Sequence, residues 1–177
     1  MTTAEYLETP ETVLPRELAF GVLRVADAPT VSHQRVVGEL FIGLTAHVRA
    51  RRLGEVLVAP VDVVLDAEAD LVVQPDLLFM GAQRTSLVGD RIFGAPDMVV
   101  EVLSPYPRIG HLEEKIGWYA RYGVRECWLA SLAKKEIAVL TLADGAVASR
   151  ALFGRGQAIK SDLLGELDLL PINVFGW

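Results

Sequence analysis

Glu101 stands inside Met98-Val99-Val100-Glu101-Val102-Leu103, a run otherwise apolar enough for a strand covered on both faces. An ionised carboxylate in such surroundings is costly unless it is paired or binds a metal. Asp76 lies 25 positions earlier (101 − 76), just after Pro75 and at the start of a second apolar stretch, Leu77-Leu78-Phe79-Met80. If the two stretches are neighbouring strands, both carboxylates come within a few ångströms of each other. Like charges that close raise each other's proton affinity, and a divalent cation relieves the repulsion. Oxygen ligands with room for water suit Mg²⁺ or Mn²⁺, and the sequence lacks the Cys/His spacing of a zinc site. The plainer alternative for Glu101 is a salt bridge to a nearby arginine, or a strand end that reaches solvent.

Lys115 is the third candidate. It lies about 60° from Leu112 on a helical wheel, at the margin of the apolar stripe made by Leu112, Ile116 and Tyr119. Its stem can simply cover the core. Alternatively its ammonium faces the carboxylates, where it orients an attacking water or stabilises a charged phosphoryl transition state. Other chemistries find little support. There is no glycine-rich phosphate loop, no Gly-x-Ser-x-Gly elbow and no cysteine nucleophile site. Cys127, His47, Trp118 and Trp128 read as packing residues.

The elements that must position these residues are legible from periodicity and punctuation. Thr3 caps a short helix over 4–8, closed by Pro10. Residues 17–25 form two short strands turning near Gly21. Ser32 caps a long helix in which Val36, Val37, Leu40, Phe41, Leu44 and Val48 recur at helical spacing, with Gly54 past its end. His33 falls in the first turn of that helix, on the side of Leu40 and Leu44. Residues 55–65 are β-rich and broken at Pro60, and 71–80 read as strand, proline interruption, strand. Residues 81–94 read as a loop, and 97–103 as a buried central strand that stops at Ser104-Pro105-Tyr106-Pro107. A helix over 112–122 ends at Gly123. A buried strand around Cys127, a hairpin turning at Asp144-Gly145 and a closing strand or turn over 163–170 complete the chain. Strands with two substantial helices make an α/β (α+β) sheet domain.

With 177 residues, residues 1–177 suit one domain able to bury roughly 70% of its unfolded surface. The hydrophobic share of 51% agrees with a filled core, and a single cysteine points to a reducing, cytoplasmic setting. No secretory signal or membrane span is expected. A net charge of −6 argues against a dedicated high-affinity nucleic-acid binder, but not against an enzyme that meets DNA through a local patch and a metal ion. The densest basic cluster, Arg49, Arg51 and Arg52, reads as a solvated helix C-terminus.

Taken together, Gln74-Pro75-Asp76, the block Gly94-Ala95-Pro96-Asp97 through Glu101-Val102-Leu103-Ser104-Pro105, Lys115, and Tyr119-Ala120-Arg121-Tyr122-Gly123-Val124-Arg125-Glu126-Cys127-Trp128 resemble the Uma2 family. Its members are restriction-endonuclease-like proteins of the PD-(D/E)XK nuclease superfamily. The likeness extends upstream through Glu17-Leu18-Ala19-Phe20-Gly21 and Ser32-His33. It implies a mixed central sheet flanked by helices, Asp76 and Glu101 as ligands of Mg²⁺ or Mn²⁺, and the Val102 carbonyl as a third ligand. It also implies that the superfamily's lysine, absent at Leu103, has moved to Lys115, with Glu17 and His33 completing the site. Two positions depart from the family pattern. His111 stands where an aspartate usually precedes the lysine by four residues, and Tyr106-Pro107 follows the Ser-Pro in place of Ser-Thr.

The expectation is a metal-dependent endonuclease that hydrolyses DNA phosphodiester bonds, as a homodimer where both strands are cut. The alternative is a catalytically impaired protein of the same fold that binds nucleic acid or a protein partner, and His111 and the acidic charge point that way. A hydrolase of small phosphorylated molecules would use the same site chemistry.

Overall fold

A computed structural model of the chain describes residues 1–10, 14–104 and 111–176. The Tyr106-Pro107 departure, with Pro105 before it, lies outside the described residues. In chain order the elements are α1 (Thr3–Glu8), β1 (Arg16–Ala19), β2 (Val22–Val25), α2 (Val31–Arg51), β3 (Gly54–Val58), β4 (Val63–Asp66), β5 (Leu71–Val73), β6 (Leu77–Gly81), a 3-10 helix (Ala82–Leu87), β7 (Ile92–Phe93) and β8 (Met98–Leu103). They continue with α3 (Leu112–Tyr122), β9 (Glu126–Ser131), β10 (Glu136–Ala143), β11 (Ala146–Gly154), β12 (Lys160–Ser161), β13 (Gly165–Glu166) and α4 (Pro171–Phe175).

Two mixed sheets carry the fold. One has six strands in the order β11-β10-β9-β8-β6-β3, the other five in the order β2-β1-β5-β4-β7. Strand β8 lies inside the larger sheet, antiparallel to β6 and parallel to β9. The parallel pair is joined through α3, as a parallel connection requires a crossover element. Alternation along β8 sorts its side chains between two cores. Met98, Val100 and Val102 pack with Val36, Val37, Leu40 and Leu44 of α2. Val99 packs on the other face with Tyr119 and Ala120 of α3 and with Val63, Leu71, Val73 and Ile92 of the smaller sheet. The smaller sheet's outer face is closed by Tyr6 of α1 against Leu18, Val64 and Val72.

Local chemistry moves several expected boundaries. Thr2, not Thr3, caps α1: its hydroxyl accepts from the Glu5 N–H while the Glu5 carboxylate accepts from the Thr2 N–H. Thr30, not Ser32, caps α2, because its extended backbone and its spacing to the His33 N–H fit the cap, whereas Ser32 is already helical. Gly54 follows the end of α2 at φ 151°, and a Cβ there would collide with the Met80 carbonyl of the paired strand. Residues 81–94 are more ordered than a loop, forming the 3-10 helix and the two-residue β7, which pairs parallel to β4. The C-terminal stretch forms the small β12-β13 pair and α4 in place of one closing strand. Among the described residues no helix is long and apolar enough to cross a membrane.

Cys127 is fully buried in β9, and burial pushes its thiol up, with the Glu101 charge adding to the effect. Iodoacetamide at pH 8 is therefore expected to leave the native protein unlabelled and to label it once guanidinium has unfolded it. Rapid labelling of the native protein would contradict this packing of β9.

Candidate functional site

The register between β6 and β8 pairs Leu77 with Val100 and Leu78 with Val99. One step further places Asp76 opposite Glu101, at the entrance of β6. Directly opposed residues project to the same face of a sheet. Residues 74–76 form the link between β5 of the smaller sheet and β6 of the larger, so Asp76 lies where the two sheets meet. Its Oδ2 accepts from the Val102 N–H at 2.7 Å.

The remaining candidates converge from three other elements. From α3, the Lys115 Nζ lies 2.8 Å from Glu101 Oε1 and 2.8 Å from Glu17 Oε1. Glu17 comes from β1, and the same oxygen accepts from the Gln74 N–H at 3.0 Å. From the first turn of α2, His33 Nε2 lies 3.3 Å from Asp76 Oδ2. The structure thus brings together Glu17, His33, Asp76, Glu101, Val102 and Lys115. Among the described residues the charged partner of Glu101 is Lys115, one helix away, and the lysine's head is enclosed by the two carboxylates and not held in water.

Electrostatics follow from this enclosure. Burial pushes the Glu101 carboxyl up to about 7, opposed by the Lys115 charge and reinforced by Asp76 and Glu17. For Lys115, burial acts to lower the pKa, but the Glu101 and Glu17 carboxylates outweigh it and hold the ammonium above its ordinary value. Burial likewise acts to lower His33, and the hydrogen bond and charge of Asp76, with the Glu101 charge and a hydrogen bond to the Val102 backbone, more than reverse it. The buried His33 Nδ1 has no hydrogen-bond partner among the described residues.

His111 occupies the N-cap of α3 without making a side-chain cap. Its Nδ1 lies 3.2 Å from the Glu114 carboxylate, which also pairs with Arg24 at 3.2 Å. Its imidazole therefore neither caps the helix nor pairs with the Lys115 ammonium, whose direction is set by Glu17 and Glu101, although its carbonyl accepts the Lys115 N–H at 2.9 Å. Two polar contributors escaped the sequence reading. Tyr119, assigned only to the apolar stripe, donates its hydroxyl to Glu101 Oε1 at 2.5 Å. Gln74 donates its amide to Asp62 at 2.8 Å while its backbone supports Glu17. The spacing of Lys115 and Tyr119, one turn apart on a helix, was the available signal for the first. His47 is a satisfied core histidine, its Nε2 lying 2.8 Å from the Leu164 carbonyl.

Comparison with known proteins returns one family and a similar solved fold. The Uma2 family, whose description reads "Putative restriction endonuclease", matches residues 3–173, and the chain belongs to that family. Its fold is similar to that of a solved protein from Anabaena variabilis described as a putative nuclease belonging to DUF820. The two are 19% identical with a TM-score of 0.85, over 100% of this chain and 98% of that one. At that identity the likeness concerns the fold alone. No curated protein matches the chain.

Proposed function

We propose that the chain, as one domain over 1–177, is a divalent-cation-dependent endonuclease acting on DNA phosphodiester bonds. The observation that carries this reading is the β6–β8 register, which sets Asp76 against Glu101 with Lys115 on the same carboxylate. The donors fit a hard cation: Asp76, Glu101 and the Val102 carbonyl would all offer oxygen, and the negative charge that Asp76 and Glu17 add beside buried Glu101, only partly offset by Lys115, is what a cation relieves. Among the described residues no three His, Cys, Asp or Glu side chains form a ready cage. Much of the shell would then be water and phosphate oxygen, the usual manner of holding Mg²⁺, with Mn²⁺ as its substitute. When bound, the cation supplies Lewis-acid polarisation of the phosphate.

The chain's own residues divide the remaining work. Lys115, held charged by its two carboxylates, offers positive charge to the phosphoryl oxygens and does not take a proton. Glu17 fixes the lysine, and His33 holds Asp76 from the opposite face. A homodimer would bring two such sites to a duplex, and the lone buried cysteine suits a reducing, cytoplasmic setting. The test is plasmid cleavage: cutting in Mg²⁺ or Mn²⁺, arrest by EDTA and recovery on adding the ion back, with RNA and mononucleotides as competing substrates. EDTA-insensitive cutting, or no cutting of any substrate, would reject the proposal.

A second reading, a nuclease-fold protein that binds nucleic acid or a protein partner without cleaving, is favoured by His111, which leaves α3 without a side-chain cap. It predicts no heat of Mn²⁺ binding in calorimetry.

A further inference from the structure

The apolar stripe of α3 accounts for the ring of Tyr119 but not for its hydroxyl. The ring is fully buried among Val99, Ala120 and Cys127, a setting in which phenylalanine would pack as well. A buried phenol needs a partner, and here the partner is Glu101 Oε1, at 2.5 Å. The same oxygen receives the Lys115 ammonium at 2.8 Å. Two strong donors, one neutral and one charged, therefore fill the lone pairs of a single carboxylate oxygen. Both ride one rigid turn of α3, so their separation is set by the helix and not by loops. The ammonium lies 5.9 Å from the centre of the phenol ring, at the rim of the range in which ring and cation attract.

We infer that Tyr119 is a positioning residue: with Lys115 it occupies Oε1 of Glu101 and so fixes which oxygen, Oε2, is offered to a cation. The inference rests on reading Asp76 and Glu101 as cation ligands, and it goes beyond that reading by assigning the orientation of one ligand to a residue that touches neither cation nor substrate. Removing an outer partner of a metal ligand ordinarily costs about 10–100-fold in metal affinity or activity.

The test uses the full chain carrying Tyr119→Phe, with carboxyl-labelled glutamate followed by carbon NMR in metal-free buffer and Mn²⁺ affinity followed by calorimetry. The Glu101 resonance is assigned by its loss in Glu101→Gln. Glu126 serves as an internal reference for folding, since its carboxylate is buried and held by Trp128, Ser161, Asp162 and Leu163. The expected result is a shifted or broadened Glu101 line, an unmoved Glu126 line and Mn²⁺ binding weakened by about 10–100-fold. An unchanged Glu101 line with unchanged Mn²⁺ affinity would overturn the inference. Should the wild-type protein take up no Mn²⁺, the cation reading fails by itself, and the Glu101 line alone then decides whether Tyr119 positions that carboxylate.

Discussion

Asp76→Asn and Glu101→Gln are each expected to leave a folded protein whose DNA cleavage in Mg²⁺ or Mn²⁺ has fallen by at least about a thousandfold. A cation contributes several kcal/mol of charge stabilisation in a phosphoryl transition state, and about 4 kcal/mol corresponds to three decades in rate. The amides preserve the packing while removing the charge. An asparagine oxygen can still accept the Val102 N–H, now 2.7 Å from Asp76 Oδ2, and a glutamine oxygen can still accept from Lys115 and Tyr119. Circular dichroism should therefore stay native. On the proposed reading both carboxylates serve one cation, so the double variant should be little worse than either single one. Cleavage at the wild-type rate by both variants would remove the site. Loss in only one would remove the other carboxylate from it.

How far the sequence reveals this site depends on which forces place each residue. The strand bearing Glu101 and the strand that opens just after Asp76 were legible because an acid in or beside an apolar run violates its surroundings, and burial patterns survive in single sequences. Residues 112–122 were legible to the residue, because Gly123 supplies the left-handed stop at φ 93°. Pairing is another matter. Nothing local states that β5 and β6, separated by three residues, belong to different sheets, or that the link between them carries Asp76 to the junction. The convergence of Glu17 and His33 depends on two cores facing opposite sides of β8, and the sequence supplied it through resemblance alone. Tyr119 was misjudged for a simpler reason. Helical periodicity reports that a ring is buried and is silent about where its hydroxyl points. The 3-10 helix and β7 were missed because a two-residue strand has no period to read.

Lys115→Met should be strongly destabilising at pH 8 and largely repaired at pH 5. Methionine fills the space of the lysine stem, so the change removes the ammonium and little packing. Glu101 is about 12% exposed and Glu17 about 19%, and both lose their shared partner. Breaking an enclosed ion pair from one side costs about 3–5 kcal/mol, a large share of the 5–15 kcal/mol that holds an ordinary domain. The pH dependence follows from Glu101. Burial already raises its carboxyl to about 7 against an ordinary 4.5, with Lys115 the main influence in the other direction. Without the lysine the folded-state value rises further, while that of the unfolded chain does not. The folded variant therefore binds its proton more tightly than the unfolded one. That stability is fully present below about 4.5 and is lost as pH rises through the folded-state value, at or above about 7. His33, raised by Asp76 and Glu101, tilts wild type and variant in the same sense, so the difference between the two proteins reports chiefly on the carboxylates that lose Lys115. Urea unfolding in EDTA at both pH values reads the effect. An equal loss at pH 5 and pH 8, or a variant more stable than wild type at pH 8, would show that Lys115 does not hold these carboxylates in solution.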